Sequence, residues 1–151
     1  MSYYRTVADS FGQTIECIAA SVDLLADPMH LASEMICGAM LENGKLLVCG
    51  LGVDGVVTGL LSTQLASRFE HDRPGLPVVD LATDATTLAA LAGDDMEDVF
   101  ARQVRALAQP GDLLLLCASA APHPALVAAL AAAADSGVAR SVSSVSGLSV
   151  D

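Results

Sequence analysis

Aromatic and basic side chains are what this sequence has least of. Tryptophan is absent, two tyrosines and three phenylalanines are all the aromatics in 151 residues, and seven Lys and Arg face eighteen Asp and Glu, for a net charge of −11. The basic residues Arg5, Lys45, Arg68, Arg73, Arg102, Arg105 and Arg140 are scattered along the chain. No stripe of positive charge exists to release counterions from a phosphate backbone, which argues against direct contact with nucleic acid. Long apolar runs are also missing. The longest uncharged stretch, Leu113 to Ala134, is interrupted by Pro122 and Pro124, so no membrane span is expected. No basic segment followed by an apolar one opens the chain, and a cytoplasmic location is expected. Cys17, Cys37, Cys49 and Cys117 show no C-x-x-C spacing and sit in apolar periodic segments. They are expected to be reduced, buried thiols, with neither a metal site nor a cofactor.

What is abundant is Ala, Leu and Val. The chain is 53% hydrophobic with a mean hydropathy of +0.54, enough for one helix-rich α/β domain with apolar surface left over for self-association. Its organising stretch runs from Lys45 to Leu60: an apolar segment enters the turn Gly50-Leu51-Gly52-Val53-Asp54, then a helical pattern continues to Phe69. Strand, glycine turn and helix N-terminus in that order build anion sites. Yet Leu51, Val53 and Asp54 stand where a phosphate would want hydroxyls, amides or a lysine. Asp54 is expected to cap the helix with its own carboxylate and to repel a phosphate there.

Ahead of that stretch, Tyr4, Val7, Phe11, Ile15, Ile18, Val22 and Leu25 form one helical stripe, and Asp27-Pro28 marks the start of a second helix ending at Asn43-Gly44. Residues 1–43 are therefore read as an arm of two helices, and 44–151 as the α/β part of a single domain. The arm either forms an oligomer, dimer or tetramer, or packs on its own sheet. Beyond the first turn, Val56, Val57, Leu60, Leu61 and Leu65 are core candidates. Strands are expected at Pro77–Leu81 and Asp112–Cys117, with helices over 84–92, 95–108 and from Pro124 to about Asp135. This alternation predicts a doubly wound parallel sheet flanked by helices, with ligands at the carboxyl ends of the strands. Val138 to Asp151 is read either as a last strand or as a frayed end.

Several stretches together resemble the phosphoheptose isomerase branch of the sugar isomerase (SIS) domain family, which includes the DnaA initiator-associating proteins. They are Lys45-Leu-Leu-Val-Cys-Gly-Leu-Gly, Ser67-Arg-Phe-Glu-His-Asp-Arg-Pro-Gly-Leu-Pro, Leu81-Ala-Thr-Asp, Asp98-Val-Phe-Ala-Arg-Gln-Val-Arg-Ala-Leu and Pro110-Gly-Asp-Leu-Leu-Leu. The resemblance covers about residues 5 to 140. It implies a SIS-type sheet, usually in a tetramer, with sedoheptulose 7-phosphate as the enzymes' substrate.

The departures fall on the chemistry. Where the family's first turn reads Gly-Asn-Gly-Gly-Ser, this chain has Gly50, Leu51, Gly52, Val53 and Asp54. Where the second reads Ser-Thr-Ser-Gly-Asn-Ser, it has Ala118, Ser119, Ala120, Ala121, Pro122 and His123. The resemblance places the family's catalytic glutamate at Gln64, and an amide cannot abstract a proton. The expected pocket is thus a depleted one, made of Gly50, Gly52, Asp54, Asp84, Ser119 and His123, that binds sugar phosphate weakly or not at all. Asp84 and His123 also suit helix capping and an exposed turn. Arg73 either pairs with Glu70 or Asp72 or contacts a protein partner. On these departures the chain is expected to be a non-catalytic adaptor like the DnaA initiator-associating proteins, with phosphoheptose isomerase or sugar-phosphate sensor as the alternative.

Overall fold

A computed structural model describes residues 3–68 and 70–144, and for 139–144 only the backbone path. The chain divides into two units, Met1–Glu34 and Met35–Asp151. Its first element is one helix, α1, Tyr3–Leu41, with Pro28 inside it. The two-helix arm is therefore corrected to a single 39-residue helix. Proline removes one backbone donor and strains the turn before it by about 3 kcal/mol. Over so many residues the remaining hydrogen bonds outweigh that local loss, and Ile18, Val22, Leu25 and Met29 keep their three-and-four spacing straight across Pro28. No residue of the helix is fully buried.

In the second unit the order is β1 (Leu46–Cys49), α2 (Val53–Ala66), β2 (Val78–Asp80), α3 (Ala85–Asp94), α4 (Val99–Leu107), β3 (Leu113–Ala118), α5 (Pro124–Asp135) and β4 (Ala139–Ser144). The described residues form a four-stranded parallel sheet in the order β2-β1-β3-β4. The expected α/β alternation and parallel sheet are both present. The tail is a strand as far as Ser144, while 145–151 lie outside the described residues, as does Phe69.

The central strands are apolar at every position because both faces are covered. Leu47, Cys49, Leu114 and Leu116 face Phe100, Val104, Leu126 and Ala129 of α4 and α5. On the other face Leu46, Val48, Leu113 and Leu115 meet Leu61 and Leu65 of α2 and Met35, Ile36, Ala39 and Met40. Two core expectations fail. Val56, Val57 and Leu60 are 72%, 51% and 61% exposed, because α2 is apolar all round and only one of its faces can lie on the sheet. Cys17 and Cys37 are also exposed, on α1; Cys49 is buried and Cys117 half-buried, and all four are free.

At the amino edge the entries to β1 and β3 are tied by one buried carboxylate. Asp112 Oδ1 accepts from the Lys45 N–H at 2.9 Å, and its Oδ2 accepts from the Lys45 ammonium and, at 2.8 Å, from the Gln109 N–H. Burial alone pushes Asp112 up, but these hydrogen bonds outweigh it and hold the carboxyl below its ordinary value. Asp112→Asn is expected to cost about 2 kcal/mol at neutral pH, the scale of hydrogen bonds to charged groups. Because the folded-state value is depressed, this contribution is full above the ordinary carboxylate range and fades as pH falls through the depressed value. Urea unfolding at pH 7 and pH 3 measures it: the gap between parent and variant should shrink at the lower pH.

Candidate functional site

The carboxyl ends of β1 and β3 are neighbours in the middle of the sheet, and the turns that leave them meet there. Gly50 lets the first turn close. A Cβ on it would lie 2.7 Å from the Asp54 carbonyl carbon and oxygen, so any larger residue would push α2 off the strand end. Gly52 has φ +60°, which side chains resist.

Asp54 does not do what its position predicted. α2 has no side-chain cap. Instead the Asp54 carboxylate reaches across the sheet edge, where its Oδ2 accepts from the Ser119 N–H at 2.9 Å and the Ser119 hydroxyl at 3.1 Å. A cross-strand pair of donors outcompetes the local helix N–H groups, and the two turns become one mouth. Sequence spacing carried no signal of this link, since the partners are 65 residues apart. The half-buried Cys117 lies beside Asp54; burial first and that carboxylate second raise its thiol. Cys49, deeper in the sheet, is pushed up to about 12 by burial, Cys117 and Asp80. Both thiols stay protonated at neutral pH and are poor nucleophiles.

Sequence reasoning missed Asp80. It ends β2, next to β1 at the same edge, with Oδ1 accepting from the Ala82 N–H and Oδ2 turned toward α2 at Gly59. A carboxylate at the carboxyl end of a parallel strand is the available signal for it. Gln64 lies half-buried near the end of α2.

The remaining candidates have structural duties. Asp84 caps α3, accepting from the N–H groups of Thr86 and Thr87 and from the Thr87 hydroxyl. That hydroxyl and the two N–H groups hold its carboxyl below the ordinary range. It also lines a groove of about 580 Å³ with Asp80, Thr83, Thr87 and Gln103, and Ser119 is not among that groove's lining residues. His123 caps α5 through Nδ1, which accepts from the Ala125 N–H. Arg73 forms neither expected pair. Its guanidinium donates to the carbonyls of Gln64, Leu65 and Pro74, closing the C-terminal end of α2. Those last carbonyls have no helical partners of their own, so a fixed cationic fork satisfies them. Among the described residues no three His, Cys, Asp or Glu side chains are grouped to hold a metal ion, and no helix is long and apolar enough to cross a membrane.

Comparison with known proteins agrees with this architecture. The SIS domain profile matches residues 10–141. The phosphoheptose isomerase of Methylococcus capsulatus is 35% identical over 136 residues, 89% of this chain and 70% of that protein. The phosphoheptose isomerase of an Azoarcus species is 38% identical over 134 residues, 88% and 68% of the two chains. Among solved structures, a phosphoheptose isomerase from Francisella tularensis superposes with a TM-score of 0.88 at 26% identity, over 95% of this chain and 76% of that one. One from Neisseria gonorrhoeae gives 0.86 at 24% identity, over 95% and 75%. These relatives overturn two expectations drawn from the depleted turns, that the chain is a non-catalytic adaptor and that it is not an enzyme. Their names are those of isomerases. The chain belongs to the SIS domain family.

Proposed function

We propose that this chain is a phosphoheptose isomerase, holding a phosphorylated sugar at the mouth between the β1–α2 and β3–α5 turns and interconverting its ketose and aldose forms. The observation that carries the placement is the Asp54–Ser119 link, which brings two turns together at the carboxyl edge of a parallel sheet, where such sheets hold ligands. The kinship to proteins named phosphoheptose isomerase supplies the reaction. That reaction moves a proton between C1 and C2 of the sugar and needs hydrogen bonds to a carbonyl and a hydroxyl together with a proton acceptor. Ser119 offers a hydroxyl. Gln64, at the other end of α2 from that mouth, offers an amide that hydrogen-bonds but takes no proton, and Asp80 offers a carboxylate at the same edge as the mouth.

Proton NMR of sedoheptulose 7-phosphate in deuterated buffer tests the proposal. With the chain present, deuterium should enter at C1 and aldose signals should grow. Exchange no faster than in buffer, together with no binding at millimolar sugar, would refute it.

A further inference from the structure

We infer that the Asp54 carboxylate is a built-in competitor for the phosphate of the sugar, occupying the donors that the phosphate would use and setting how tightly phosphorylated ligands bind. The inference rests on the function proposed above and concerns the same mouth. Its basis is the direction of the hydrogen bonds. Ser119 is exposed and offers the β3–α5 turn two donors, its N–H and its hydroxyl, and both end on Asp54 Oδ2. Ala120, Ala121 and Pro122, between Ser119 and the helix-capping His123, have no polar side chain.

A phosphate entering there finds both Ser119 donors in use by a group of its own charge. It must displace the carboxylate or lie beside it, and charge-assisted hydrogen bonds of this kind are the stronger class. Among the described residues no cation pairs with Asp54 to blunt the repulsion. Asp54 thereby becomes a specificity-determining residue. It weakens binding of the phosphate while leaving a neutral sugar unaffected, because an uncharged ligand meets no repulsion from the carboxylate.

Calorimetry on the full chain, Asp54→Ser and Asp54→Asn separates the possibilities, with sedoheptulose 7-phosphate, sedoheptulose and inorganic phosphate as probes. Asp54→Asn keeps one acceptor for Ser119 and the side-chain shape while removing the charge and exchanging the other oxygen for an amide donor, so it reports even if Asp54→Ser loosens the turns. Both variants should bind sedoheptulose 7-phosphate and inorganic phosphate at least about tenfold more tightly than the parent, with sedoheptulose unchanged. Equal or weaker phosphate binding in the variants, with the parent still binding the phosphorylated sugar, would overturn the inference and leave the proposed function standing. So would an equal gain for sedoheptulose. If neither parent nor variants bind any phosphorylated probe, the proposed function fails and takes this inference with it.

Discussion

Gln64→Glu is expected to raise the isomerisation rate by about 10²-fold or more, the lower range of what a positioned general base contributes. Glutamate and glutamine have nearly the same shape, so the change swaps a group that only hydrogen-bonds for one that also takes a proton. The backbone at this position is held independently of the side chain, because Arg73 donates to the Gln64 carbonyl oxygen at 2.9 Å. Gln64→Asp, one methylene shorter, should give a smaller rise, since proton transfer depends on reach. Initial rates with sedoheptulose 7-phosphate decide it. A rate for Gln64→Glu at or below the parent's would mean that α2 does not bring residue 64 to the reacting carbons.

The second large effect concerns α1. Ile15, Val22 and Met29 recur every seven residues, as do Phe11, Ile18 and Leu25, and all six are exposed. A strict seven-residue repeat is the pattern of helices that pack against other helices. Each such side chain gains about 1.5–3 kcal/mol on full burial. Two helices burying six each therefore gain roughly 20 kcal/mol or more before the cost of association, which is about 4–15 kcal/mol. The chain is accordingly proposed to be a dimer or tetramer, and Phe11→Asp with Ile18→Asp should release monomers. Sedimentation at micromolar concentration reads this directly. A parent chain already monomeric there would refute it.

Much of the α/β architecture could be read from periodicity. Continuous apolar runs such as Leu113–Leu116 announce strands buried on both faces, and glycines and prolines mark their ends. The misses have physical causes. Pro28 looked like a boundary because a proline fits the first turn of a helix better than its middle, but a long helix can absorb one missing hydrogen bond. The orientation of α2 was illegible because Val53, Val56, Val57 and Leu60 are as apolar as Leu61 and Leu65. Pattern alone cannot choose between two apolar faces. At the site, local capping was readable for Asp84, whose partners are two and three residues away, whereas His123, expected as an exposed turn residue, caps α5. Asp54 departs from local capping because its partner lies in the turn after another strand, and Arg73 from side-chain pairing because helix-end carbonyls are not visible as partners in a list of side chains.

The claim that the sugar sits between the two turns is tested most directly by amide NMR during titration with sedoheptulose 7-phosphate. The largest shifts should fall on residues 50–55 and 118–121, on both sides of the Asp54–Ser119 link. Shifts centred instead on the groove lined by Asp84, Thr87 and Gln103, or no shifts at saturating sugar, would contradict it.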